Sequence, residues 1–121
     1  MKKKVLIIED EQNIANAEML ILKEEYEVHH APDGEKGLKM IRELKPHLIV
    51  LDLMLPKRGG YDVCYHLRED DKLAGIKVLM VTAKNQEIDK EKGFMVGTDD
   101  YLTKPFEPEE LLSRVQKILN R

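Results

Sequence analysis

Three carboxylates, a hydroxyl and an ammonium each fall directly after a short apolar run in this chain. Glu9 and Asp10 follow residues 5–8, Asp52 follows 47–51, Thr82 follows 76–81, and Lys104 comes just after 99–102. If each run is a strand of one parallel sheet, these groups meet on one rim, because ligands of such sheets bind beyond the carboxyl ends of the strands. Three close carboxylates repel one another: a pair 4 Å apart costs about 1 kcal/mol in water and roughly 4 kcal/mol at an effective dielectric of 20. Such a cluster raises its own pKa values or takes up a cation. A hard, oxygen-liganded ion such as Mg²⁺ suits it. The ion, Lys104 and Thr82 together supply the cations and donors that a transferring phosphoryl group needs. Asp52 is then a carboxylate nucleophile able to form an acyl phosphate. Taken singly, Glu9 and Asp10 read as solvated loop acids, Thr82 as a helix cap and Lys104 as a surface charge. Their conjunction at four strand ends is what points to chemistry.

The elements that must position these groups are legible as alternating periods. Residues 5–8, 47–51 and 76–81 are short, rich in Val, Ile and Leu, and bounded by polar residues, as buried strands are. Residues 26–31 and 99–102 are weaker strands of the edge type. Ile14, Ala17 and Ile21 recur at helical spacing, as do Leu38, Ile41 and Leu44, then Val63 and Leu67. The clearest such face is Leu111, Leu112, Val115, Ile118 and Leu119. Pro32-Asp33-Gly34 is a turn with Asp33 as the cap of the next helix. The glycines of Leu55-Pro56-Lys57-Arg58-Gly59-Gly60 mark a loop. Phe106-Glu107-Pro108-Glu109-Glu110 opens a helix with proline and carboxylates in its first turn. Five strands alternating with five helices predict a single α/β domain over residues 1–121, its parallel sheet covered on both faces.

Bulk composition narrows the function classes. A chain of 121 residues is one domain's length, and 42% hydrophobic with 36% charged residues describes a globular protein. Twenty Lys and Arg against 23 Asp and Glu give a net charge of -3, without the basic stripe of a nucleic-acid binder. The single Cys64 excludes an internal disulfide and favours a reducing compartment, hence a cytoplasmic location. Met1-Lys2-Lys3-Lys4 resembles the start of an export signal, but its apolar run ends at once in Glu9-Asp10-Glu11. No run approaches the roughly 18 apolar residues of a membrane span.

The landmark segments Val5-Leu6-Ile7-Ile8-Glu9-Asp10-Glu11, Leu48-Ile49-Val50-Leu51-Asp52-Leu53-Met54-Leu55-Pro56, Val81-Thr82-Ala83 and Gly97-Thr98-Asp99-Asp100-Tyr101-Leu102-Thr103-Lys104-Pro105-Phe106 resemble the receiver domains of two-component response regulators. The match runs over essentially the whole chain. The resemblance implies a flavodoxin-like, doubly wound (βα)5 fold with strand order 2-1-3-4-5. It implies Asp52 as phosphoacceptor, and a Mg²⁺ ion (replaceable by Mn²⁺) held by Asp10, Asp52 and the backbone carbonyl of Met54, with Glu9 acting directly or through a metal-bound water. Lys104 would pair with the phosphoryl group, and its bond to Pro105 would be cis. Thr82 and Tyr101 would relay the change to the face made by the fourth helix, fifth strand and fifth helix. Such a domain catalyses only its own phosphorylation and dephosphorylation. Departures are small: Glu9 stands where an aspartate is common, Leu55 and Arg58-Gly59 vary the loop, and Thr98 replaces a frequent alanine.

Residues 99–106 with Glu110-Leu111-Leu112-Ser113-Arg114-Val115 are similar to receivers joined to winged-helix DNA-binding domains. Carried over by position, Lys90 would pair with Glu110 and Asp100 with Arg114 across a two-fold dimer interface. The implied donor is a sensor histidine kinase docking near the first helix. The chain holds no DNA-reading element, so it reads as a stand-alone receiver or one without its output domain. His29, His30, His47 and His66 lack metal-ligand spacing and read as structural or solvent-facing, Cys64 as buried packing, and Glu69-Asp70-Asp71 as a solvated helix end. Lys84 is placed either to govern water access to an acyl phosphate or as a surface lysine. A hydrolase of the haloacid dehalogenase type would need an aspartate where Met54 stands. A nucleotide or flavin domain would need a Gly- or hydroxyl-rich loop where Glu9-Asp10-Glu11 stands. The remaining alternative is a degenerate receiver that serves as a phosphorylation-independent interaction module.

Overall fold

A computed structural model of the chain describes residues 1–83 and 97–120. In chain order its elements are β1 (Lys4–Ile8), α1 (Gln12–Leu22), β2 (Glu27–Ala31), α2 (Gly34–Leu44), β3 (Leu48–Leu51), α3 (Gly60–Glu69), β4 (Lys77–Thr82), β5 (Asp100–Thr103) and α4 (Pro108–Leu119). The helix expected between the last two strands, with Lys84 and Lys90, lies outside the described residues, so α4 is the helix counted fifth in the sequence. The five strands are parallel in the order β2-β1-β3-β4-β5. The fold is therefore the doubly wound one that the resemblance implied.

Alternation along the strands divides the core into two layers. Leu6, Ile8, Ile49, Leu51, Val78, Met80 and Tyr101 face α2 and α3, joined there by Leu38, Ile41, Val63 and Leu67. Val5, Ile7, Leu48, Val50, Leu79, Val81 and Leu102 face the other way, onto Leu22 of α1 and Leu111, Val115 and Ile118 of α4. Cys64 is fully buried in the first layer, as its apolar neighbours suggested.

Local signals start the helices as read. Asp33 caps α2, its side chain accepting from Lys36 N at 2.8 Å. Asp33→Ala is expected to cost about 1 kcal/mol in urea unfolding; an unchanged midpoint would show the cap to be idle. At α4, Glu107 N donates to the Glu110 carboxylate at 3.0 Å.

The sequence reading of α1 needs correction. Its buried residues are Ala15, Glu18 and Leu22, whereas Ile14 and Ile21 are half-buried and Ala17 is exposed. Apolar residues occupy two adjoining stripes of this helix. The stripe facing the core contains a glutamate, which a count of hydrophobic spacing passes over.

Opposite the acidic rim, Arg68 at the end of α3 gathers the feet of β4 and β5. Its guanidinium donates to the carbonyls of Gly97, Ala74 and Ile76 and pairs with Asp99 at 3.0 Å. Asp99 in turn accepts from Val78 N at 2.8 Å.

Candidate functional site

Strand order decides where a ligand can enter. The chain goes outward from β1 to β2 and then crosses to β3 on the other side, so the crevice opens at the carboxyl ends of β1 and β3. Ile8 pairs with Leu51 at those ends, and Asp52 N donates to the Ile8 carbonyl at 3.1 Å. The next side chains, those of Glu9, Asp10 and Asp52, are thereby forced together: ligand oxygens of all three lie within 4.8 Å of one another.

Lys104, just past β5, reaches into the cluster. Its ammonium donates to Glu9 Oε1 at 2.7 Å and to Asp52 Oδ2 at 3.3 Å. Each acid also takes a backbone donor, Glu11 N at 3.2 Å for Glu9 Oε2 and Met54 N at 3.1 Å for Asp52 Oδ1. Glu9 and Asp52 are buried, at 2% and 7% exposure, while Asp10 is exposed. Thr82 is buried at the end of β4. Asp10, Asp52, Met54, Thr82 and Lys104 line one cleft of about 380 Å³. The Lys104-Pro105 bond is cis.

Burial pushes the Glu9 carboxyl up to about 7, opposed by its hydrogen bond from Lys104 and reinforced by the charge of Asp52. For Lys104, burial alone would depress the pKa, but the bond to Glu9 and the charge of Asp52 outweigh it and hold the ammonium above its ordinary value. Three carboxylates against one ammonium leave two negative charges uncompensated when all are ionised. An all-oxygen donor set with that deficit fits a hard divalent cation.

The other candidates fall nearby or elsewhere. Tyr101 is buried, in the α2–α3 layer. Asp100 and Arg114 pair at 3.2 Å within one chain, and Glu110 is engaged at the start of α4. Sequence reasoning missed two neighbours of the cluster. His30 donates from Nε2 to the Glu9 carbonyl at 2.7 Å, a contact that β1–β2 pairing creates and residue spacing does not reveal. Glu18, from the core stripe of α1, feels the charges of Glu9, Lys104 and Asp52.

No helix among the described residues is long and apolar enough to cross a membrane. The family model for the response regulator receiver domain matches residues 5–116. Among curated relatives, the chain is 49% identical over 119 residues to the DNA-binding dual master transcriptional regulator RpaA of Synechocystis, covering 98% of this chain and 49% of that one. It is 46% identical over 122 residues to the alkaline phosphatase synthesis transcriptional regulatory protein PhoP of Bacillus subtilis, covering 100% of this chain and 50% of that one. The chain thus spans about half the length of these relatives. Among solved structures, the BeF3-activated receiver domain of DrrB superposes with a TM-score of 0.91 at 36% identity, each chain wholly covered. Fold, rim and sequence agree, and the chain belongs to the response regulator receiver domain family.

Proposed function

We propose that this receiver domain is switched by phosphorylation of Asp52 in a reaction that depends on a divalent cation. The observation that carries the reading is the juxtaposition of three carboxylates within 4.8 Å with an ammonium bonded to two of them. Asp10, Asp52 and the Met54 carbonyl would hold the cation, Mg²⁺ by donor chemistry, with Glu9 direct or through water. A cation bound there supplies positive charge for the phosphoryl oxygens. An oxygen of Asp52 attacks the phosphorus of a phosphohistidine. The bond from phosphorus to the donor nitrogen breaks, its electron pair stays on the imidazole, and an acyl phosphate remains. Met54 N fixes one Asp52 oxygen, which limits the carboxylate to one orientation. Lys104 is freed from Asp52 to pair with the new phosphoryl group, and Thr82 offers its hydroxyl to another phosphoryl oxygen. Tyr101, two residues before Thr103 and beside β4, carries the change to the β5 and α4 surface.

Histidine kinases are the donors that receiver domains use, and the relatives' names support a DNA-binding output beyond this chain. A phosphorylation-dependent dimer would have to exchange the Asp100–Arg114 pair made within one chain for the same pair between chains.

The test is intact mass after incubation with phosphoramidate and Mg²⁺. One labile phosphoryl group is expected, absent in Asp52→Asn and absent when EDTA replaces Mg²⁺. Repeated turnover of phosphate esters would favour a hydrolase, and no labelling by any donor would leave only an interaction module.

A further inference from the structure

Glu18 places a carboxyl in the core stripe of α1, between Ala15 and Leu22, where hydrocarbon is the rule. It is 2% exposed, and its buried Oε2 has no hydrogen-bond partner. An orphaned buried acceptor costs folding stability, and a use in another state of the protein is one explanation for its being kept. Burial, with the charges of Glu9 and Asp52 adding, pushes its pKa up to about 8, while Lys104 pulls it down. Those are the charged groups that face it from the ends of β1, β3 and β5 among the described residues.

Lys104 is the complementary half. Glu18 and Lys104 both wall an apolar groove of about 540 Å³ between α1 and the Lys104-Pro105-Phe106 turn. The ammonium has three donors and gives two of them to Glu9 and Asp52. A dication held by Asp10 and Asp52, with Glu9 direct or through water, would compete with the ammonium for Asp52 and Glu9, and at close range it would repel that ammonium. Where the ammonium then goes sets how much the cation loses by displacing it.

We propose that Glu18 is a reserve counter-ion for Lys104, taking up its ammonium along the groove wall when Glu9 and Asp52 turn to a divalent cation. The inference rests on the divalent-cation reading given above. Glu18 is thus a positioning residue: it holds Lys104 out of the cation's way and close enough to return to a phosphoryl group. The arriving ammonium keeps the Glu18 carboxylate ionised in surroundings that otherwise favour its neutral form.

The test is Mg²⁺ titration of the whole chain by NMR, in the wild type, Glu18→Gln, Glu18→Leu, Lys104→Met and the Lys104→Met/Glu18→Leu double variant. Glu18→Leu is expected to weaken Mg²⁺ binding about fivefold or more, the scale of a typical coupling between sites. Glu18→Gln, which can accept a bond but carries no charge, should lose part of that. In the Lys104→Met background the Glu18 substitution should change nothing. The ¹³C resonance of the Glu18 carboxyl should shift on adding Mg²⁺ to the wild type but not to Lys104→Met. Equal Mg²⁺ affinity in wild type and Glu18→Leu overturns the proposal, as does an equal loss with and without Lys104. A wild type whose Asp10 and Asp52 signals ignore Mg²⁺ overturns the cation reading itself, a separate and recognisable result.

Discussion

Gly60→Ala is expected to cost about 3 kcal/mol of folding stability and to suppress phosphoryl uptake at Asp52. Gly60 begins α3 against the end of β3, its N–H bonded to the Leu53 carbonyl at 3.0 Å. A methyl group there would overlap the Asp52 carbonyl oxygen and lie 2.8 Å from Leu53 Cα. Both obstacles are backbone, so no side chain can swing aside; either α3 lifts or the strand end carrying Asp52 shifts. Overpacked sites usually lose about 1–3 kcal/mol, and the rigid neighbours place this one at the upper end. Gly59→Ala is the control, because its methyl would meet only the Leu53 carbonyl, 3.9 Å away, at an ordinary negative φ of -66°. Gly59 is the N-cap of α3, where alanine is poorer than glycine, so its change should stay within about 1 kcal/mol. Urea midpoints and phosphoramidate labelling decide the matter: equal stability for the two alanine variants would refute the close approach.

The second large effect is a pH dependence that vanishes in Glu18→Leu. The folded protein holds this carboxyl's proton up to about 8, against 4.5 ordinarily, chiefly because burial penalises the charge. A folded pKa raised above the unfolded value means that the native state binds more protons between the two. The associated stability is therefore complete below about pH 4.5 and is lost as pH rises through about 8. The stability gap between Glu18→Leu and wild type should widen by on the order of 4 kcal/mol from pH 5 to pH 9. Glu9, raised to about 7, bends both curves the same way and largely cancels from the difference. Denaturant unfolding at closely spaced pH values measures the gap, and a constant gap would mean that Glu18 ionises freely in the folded chain.

The rim was legible in the sequence because its groups stand immediately after strands, and strand ends are marked by an abrupt loss of hydrophobicity, as from Ile8 to Glu9 and from Leu51 to Asp52. That both faces of the sheet are covered followed from the unbroken apolar runs at residues 5–8 and 48–51, which leave no polar face for water. Strand order is different: it depends on pairings between distant segments, which periodicity does not encode, and it came from the resemblance. Glu18 was passed over because a charged residue on a buried stripe contradicts the signal used to find that stripe. The contacts of His30 and Arg68 were not legible for another reason, since their partners, the Glu9 carbonyl and the carbonyls of residues 74, 76 and 97, are backbone atoms brought near only by folding. Asp100 and Arg114 show the converse, a charge pair read as intermolecular that the structure forms within one chain.

Arg68 has a mechanical consequence. By bolting the lower ends of β4 and β5 to α3, it makes those strands resemble cantilevers, held at the root, with Thr82 and Thr103 at the tip. If phosphorylation changes the charge around Thr82 and Lys104 as proposed, the deflection would grow toward the strand tips and die away toward Val78 and Asp99. Loosening the root would let the same load tilt the whole strand pair, and the displacement would be spent as rigid-body drift instead of a localised bend.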